Sequence, residues 1–299
     1  MTAAVQTNGL SARYGRTWAL RDCTTSLPIG SVAALVGPNG AGKTTLLNLI
    51  IGLLKPTAGT VSVFGWSPVQ DPDLVLARVG FLAQDSPLFR SFSLEDMFRF
   101  GRVMNRRWDQ AAAEERMRKR GIPLEQKVHT LSGGQHAQVA LAMALAKMPD
   151  LLLLDEPLAS LDPLARSEFL QELMESAADG SLTVLLSSHL IGDLERVCDH
   201  LLLLNRGILQ LAGETERIIN AHRVLIGPRG EARTREFPGV AVVRRLESDR
   251  QVKLWVRGDP GPLAAPWQSH SAPLEEIVMA YMANAAAAPA LQVDLVIAS

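Results

Sequence analysis

Cysteine is scarce in this sequence: Cys23 and Cys198 are the two in 299 residues, far apart and without the CxxC or Cys/His spacing that holds a metal. That excludes a disulfide scaffold and a zinc module, and predicts reduced, buried or half-buried thiols in a cytosolic chain. Charge of one sign is lacking too. Lys and Arg number 30 against 31 Asp and Glu, net −1, with no run of like charge. Neither a polyanion-binding face nor a nucleic-acid partner is expected. Long apolar runs are missing: Leu46 to Leu54 and Leu151 to Leu154 fall well short of the ~20 residues of a membrane helix. The start, Met-Thr-Ala-Ala-Val-Gln-Thr-Asn, has neither the basic head nor the apolar core of a signal peptide. These absences predict a soluble chain that reaches a membrane only through a partner.

What is present is apolar content of 47%, enough to bury one large core or two modest ones. Residues 1 to about 30 carry short alternating segments broken by Gly9, Gly15, Pro28 and Gly30, which read as small antiparallel strands. Val32 to Val36 is a continuous apolar run, as in a strand buried on both faces. A helix from Thr44 to Leu54 follows, then strands at Thr60–Phe64 and Val79–Ala83. From about 86 to 147 the pattern turns helical. Ser93 with Glu95 and Asp96 opens one helix there. Trp108 to Arg120 reads as a charged helix whose apolar positions are too sparse for a deep core. Leu151–Leu154 and Leu182–Leu186 are further strands around a helix from about Pro163 to Ala178. Alternating strands and helices imply a parallel sheet, hence an α/β fold.

After about Gly213 the pattern shifts to strands at Arg223–Ile226, Val240–Leu246 and Val252–Val256. Leu274, Ile277, Val278 and Tyr281 then recur at helical spacing, with Ser271 as the cap. Residues 214–299 thus read as a small α+β unit appended to residues 1–213. Its Ala-rich end is either disordered or adds an edge strand at Leu291–Ile297.

Three segments carry chemistry. Gly37-Pro38-Asn39-Gly40-Ala41-Gly42-Lys43-Thr44 fits G-x-x-x-x-G-K-S/T, directly after a strand and opening a helix. Its glycines let backbone N–H groups converge on phosphates at a helix N-terminus. Lys43 can reach the β- and γ-phosphates, and the Thr44 hydroxyl can ligate Mg²⁺. Leu151 to Leu154 then end in Asp155 and Glu156. Asp155 would hold Mg²⁺, and Glu156, pointing elsewhere by strand alternation, would polarise the attacking water. These two elements alone fit any P-loop NTPase, from GTPases to motor ATPases. Leu131-Ser132-Gly133-Gly134-Gln135, about twenty residues before Asp155, places a second anion-binding start on the helix from Gln135 to Lys147. One chain has little use for two phosphate cradles on different lobes. Two chains head to tail do.

At this point the sequence resembles the ATP-binding cassette family, over about residues 5 to 215. The minor elements of the family appear in order as well. Tyr14 matches its adenine-stacking aromatic, and Gln84 the glutamine that contacts Mg²⁺ and attacking water. Ser160-Leu161-Asp162 matches the loop that crosses the dimer interface, and His189 the γ-phosphate histidine. The resemblance implies a P-loop NTPase core with a small antiparallel β subdomain and a helical insertion. It implies ATP and Mg²⁺ as cofactors, with residues 37 to 44 and the following Thr45 around the phosphates. Ser132, Gly133, Gly134, Gln135 and Asp162 would close the ATP of the other chain. It also implies a second copy or a homologous cassette, a separately encoded transmembrane permease, and a place on the inner face of the membrane. The sequence departs from the family just after Gln135, where many relatives carry arginines and this chain has His136-Ala137-Gln138-Val139. The C-terminal helix Pro273-Leu274-Glu275-Glu276-Ile277 looks like that of bacterial exporter ATPase subunits; a regulator or a ribosome-acting ATPase is the alternative. Every phosphate-contacting candidate precedes residue 214, so the C-terminal unit is expected to be dispensable for nucleotide binding.

Overall fold

The computed structural model describes residues 3–84, 87–230, 237, 239–284 and 291–292. β1 (Ala3–Tyr14) and β2 (Thr17–Pro28) form an antiparallel hairpin, which β4 (Ala58–Val63) joins on the other edge of β1. Between them, β3 (Val32–Val36) starts a different sheet, and every one of its residues is buried. Helix α1 (Lys43–Ile50) leaves β3 and stops four residues earlier than the apolar run suggests. The reason is Gly52, at φ +82°, where an added Cβ would lie 2.6 Å from the Pro68 carbonyl. A left-handed glycine of this kind closes a helix.

The main sheet holds β3 with β5 (Val79–Leu82), β6 (Leu151–Asp155) and β7 (Thr183–Ser188), all parallel in the order β3-β7-β6-β5. On the far side of β3 lie β8 (His200–Asn205) and β9 (Ile208–Glu214), a hairpin that no local sequence pattern announces. Its turn residues Arg206 and Gly207 both have positive φ, the mirror-image geometry that suits two-residue hairpins. The short helix α2 (Pro72–Leu76) precedes β5.

The helical lobe contains α3 (Leu94–Met104), α4 (Gln110–Lys119) and α5 (Gly133–Ala146). Ser93 caps α3 in a reciprocal box with Asp96, as its sequence predicts. α4 corrects an expectation. Its Ala113 and Met117 are fully buried, in one cluster with Phe98, Val139 and Ala142. The lobe's core is small enough that two residues on one helical stripe fill their share. α6 (Pro163–Ala177) returns to the main domain between β6 and β7.

Beyond β9 come α7 (Thr215–Asn220), β10 (His222–Pro228), β11 (Ala241–Glu247), β12 (Gln251–Arg257), β13 (Gln268–Ser271) and α8 (Leu274–Ala283). The four strands form an antiparallel sheet in the order β11-β12-β10-β13. Ser271 pairs with Arg223 inside β13, so it does not cap the helix; Pro273 occupies that position, without a side-chain bond. The strand expected at Leu291–Ile297 is β14 (Leu291–Gln292), parallel to β9; residues 293–297 lie outside the described residues. Leu225, Val252, Leu254, Val256 and Trp267 make a cluster of their own. α8 does not. Its Leu274, Ile277, Val278 and Tyr281 belong to the same apolar cluster as Leu203 and Leu211 of the main sheet.

Cys23 and Cys198 are both free and buried, and burial pushes each thiol up to about 12. No helix among the described residues is long and apolar enough to cross a membrane.

His222 ties the C-terminal elements together. Its Nδ1 is 2.6 Å from the Ile218 carbonyl of α7, and its Nε2 is 3.0 Å from the Tyr281 hydroxyl of α8. Burial lowers its pKa below the ordinary 6.5, outweighing the Ile218 bond that raises it. The unfolded chain therefore binds this proton more readily than the folded one. Stability from this site is intact above pH 6.5 and falls as the pH drops below it. Thermal unfolding of His222→Gln should accordingly show a shallower decline between pH 6.5 and 5 than the parent. Parallel curves would refute this assignment.

Candidate nucleotide-binding site

β3 delivers the chain into a loop, residues 37–42, clamped on two sides. A Cβ on Gly37 would lie 2.2 Å from the Leu204 carbonyl of β8. One on Gly42, at φ +106°, would lie 2.4 Å from the Ala19 carbonyl of β2. The β8–β9 turn supports the loop from below, the Gly207 N–H donating to the Ala41 carbonyl at 3.0 Å. Lys43 Nζ curls back to donate to the Gly37 carbonyl at 2.7 Å and the Pro38 carbonyl at 3.4 Å. Gly42 at the cap offers no side chain, so the first N–H groups of α1 have no side-chain acceptor there. Gly42→Ala should weaken binding of a fluorescent ATP analogue about tenfold or more, a strained backbone position costing ~1–3 kcal/mol. Unchanged affinity would show that the clamp yields.

At the end of β6, Asp155 Oδ1 accepts from the Ser187 hydroxyl at 2.7 Å, and the Ser187 oxygen accepts the Glu156 N–H at 2.8 Å. Ser187 stands opposite Asp155 on β7, so one hydroxyl fixes both acids. Glu156 itself has φ +49°, a left-handed conformation rare for a side-chain-bearing residue and typical of strained functional positions. Its carboxylate bridges two groups. Oε1 lies 3.0 Å from Lys43 Nζ, and Oε2 lies 2.9 Å from His189 Nδ1. Oε1 is buried without a hydrogen-bond partner, held by charge alone.

Residues 39–45, Gln84, Glu156 and His189 line one cleft of about 500 Å³, with Ala19 and Ala159 completing its wall. Four residues expected there stand apart from that lining: Gly37 and Pro38, whose carbonyls take the Lys43 ammonium, and Asp155 and Tyr14. Asp155 is 1% exposed and lies behind the wall, reached through Ser187. Tyr14 is 55% exposed at the β1–β2 hairpin tip.

A second cavity of about 560 Å³ shares no lining residue with the first. Residues 132–135 form one wall, Ser160 and Asp162 another. Ser132 and Gln135 close a capping box on α5, and Asp162 Oδ1 caps α6 by accepting from the Leu164 and Ala165 N–H groups, both at 3.0 Å. α5 meets α6 closely at Gly134, where an added Cβ would lie 3.2 Å from Ala165 Cβ. His136 and Gln138 add no cation: burial lowers the His136 pKa, and Gln138 is a buried amide.

The ABC transporter family model matches residues 20–159. The Nod factor export ATP-binding protein I of Ralstonia nicotianae is 30% identical, over 90% of this chain and 86% of its own. The chain belongs to the ABC transporter family. Cassettes of this family hydrolyse ATP to drive transport, and this chain is an ATP-binding subunit of that kind. The sulfate/thiosulfate import ATP-binding protein of Vibrio vulnificus is 33% identical over 74% of this chain, which spans 66% of that relative's length. A dimeric bacterial ABC transporter cassette superposes with a TM-score of 0.63 at 25% identity, covering 71% of this chain and 98% of that one.

Proposed function

We propose that this cassette pairs with a second copy, or a homologous cassette, and drives export through a separately encoded transmembrane permease on the inner face of the membrane. The observation that carries the pairing is the split between the two cavities. The loop cleft and the Ser132 cavity have no lining residue in common, which favours a second chain as the one that closes each around its nucleotide. Head to tail, the Ser132, Gly133, Gly134 and Gln135 start of α5 and Asp162 would face the γ-phosphate held on the other chain by residues 37–45. Tyr14 would stack on the base from the hairpin tip. Gln84, Glu156 and His189 would surround the attacking water, Glu156 as its base. Thr44 and Gln84 in the cleft, with Asp155 behind it acting through water, would offer the hydroxyl, carbonyl and carboxylate oxygens that suit Mg²⁺. The ion would neutralise charge between the β- and γ-phosphates.

Export is supported by where the relatives match. The match to the Nod factor export protein spans 90% of this chain, more than residues 1–213 can supply, so it runs into the C-terminal unit. The match to the sulfate importer, at 74%, needs little more than those residues. Affinity capture of Glu156→Gln from detergent-solubilised membranes with Mg-ATP should retain a polytopic membrane protein. Recovery with ribosomes and no membrane protein would reject the transport reading.

A further inference from the structure

α5 carries no Lys or Arg along its whole length, so no cation of its own anchors the Ser132 end. The anchoring charge comes from α4. Arg120, at the end of α4, donates to Glu168 Oε2 at 3.1 Å, to the Glu168 backbone carbonyl at 3.3 Å and to Glu172 Oε2 at 3.2 Å. Arg116, one turn earlier, pairs with the other oxygen of Glu172. Both acids sit on α6, so this fork crosses from the helical lobe to the main domain. Burial lowers the Arg116 pKa, the carboxylates of Asp109 and Glu175 opposing it, which marks the cluster as partly shielded from water. Such pairs hold geometry better than exposed ones.

α4, α5 and α6 together wall the second cavity, and the fork joins the first of them to the last. α4 packs through Ala113 and Met117 against Val139 and Ala142 of α5, whose first turn bears Ser132. α6 begins at Asp162. Arg120 and Glu168 themselves line the cavity between them. We propose that Arg120 and Glu172 are positioning residues, a charged latch that fixes the separation of the Ser132 wall from Asp162 so that the cavity fits the partner chain's nucleotide phosphates. The value of the latch for dimer closure rests on the sandwich proposed above; the latch itself does not.

Two measurements on the full-length chain test it. The first places nitroxides at Val103→Cys and Leu53→Cys, positions 76% and 70% exposed on the helical lobe and the main domain. The buried thiols Cys23 and Cys198, both raised to about 12, do not compete for label. Arg120→Gln should broaden the inter-label distance distribution, whereas Arg120→Lys, which keeps a cation opposite Glu172, should leave it close to the parent's. The second sizes Glu156→Gln with Mg-ATP, with and without Arg120→Gln. If the aligned fraction of each chain falls to about a tenth, apparent dimerisation weakens about a hundredfold, since both partners must be aligned. ATP-analogue affinity at the residue 37–45 loop should stay within about twofold, since no latch residue lines that cleft. An unchanged distance distribution overturns the latch. So does a parallel loss of ATP-analogue affinity, which would signal general damage. Failure of Glu156→Gln itself to dimerise would reject the sandwich and leave the distance measurement to decide the latch.

Discussion

Glu156→Gln is expected to bind Mg-ATP and hydrolyse it ~10²–10⁴ times more slowly, the span a positioned general base contributes. The amide keeps the shape of the side chain and its reach to His189, 2.9 Å away in the parent, but loses the charge that polarises water. It also removes the negative charge 3.0 Å from Lys43, in a pocket where both side chains are buried, and leaves the ammonium its Gly37 and Pro38 carbonyl acceptors. Losing the charged partner of a buried cation destabilises, so the nucleotide-free variant should melt below the parent. Mg-ATP supplies Lys43 with a new anion and should restore most of that loss. Uncleaved ATP should then hold two chains together through Ser132 and Gly134, and light scattering should report a dimer only with Mg-ATP. Adding Ser132→Arg should return the monomer while leaving ATP bound. A catalytic rate within about tenfold of the parent would remove Glu156 from the base role, since a general base contributes more than that.

Truncation before Thr215 is expected to cost the chain its fold. The sequence suggests that residues from about 214 onward are dispensable for nucleotide binding, and all cleft residues do precede that point. The packing argues otherwise. Leu274, Ile277, Val278 and Tyr281 of α8 are buried in the cluster that contains Leu203, Leu211 and Ile218. At ~1.5–3 kcal/mol for each buried side chain, losing four is on the order of the whole stability of an ordinary domain. Asn205, at the turn beneath the phosphate loop, also loses the Met282 carbonyl to which its side chain donates at 3.2 Å. The truncated protein should aggregate or show no cooperative melt. Val278→Ala in the full chain should shed ~1–3 kcal/mol by chemical denaturation while keeping ATP affinity. A truncation that melts like the parent would show that α8 is merely docked.

What the sequence made legible follows the range of the interactions. The loop from Gly37 to Thr44, the acids after Leu154 and the start at Ser132 are local patterns, and the structure brings Lys43, Glu156, His189 and Gln84 to one cleft. The supports of that cleft were not legible, because they come from far along the chain. Ser187 acts through strand pairing with Asp155, and Ala19 and Gly207 act through backbone atoms that carry no side-chain signal. The hairpin 200–214 went unread because Leu201 to Leu204 gives no period that separates strand from helix. Ser271 misled for a related reason: a serine before a helix is also an ordinary edge-strand residue. Arg120 and Glu172 are 52 residues apart, and nothing in either neighbourhood announces the other.

Without β14, β9 would be the bare edge of the main sheet, and its residues Leu209 to Ala212 are buried and free of charge. Such a border invites another molecule's backbone, the first step towards amyloid-like stacking. The brief parallel pairing of Leu291 and Gln292 with Leu211 and Ala212 occupies that border. Leu291 and Gln292 stand where a second copy's backbone could otherwise add, and removing them would be felt in the test tube as shelf life before it was felt as activity.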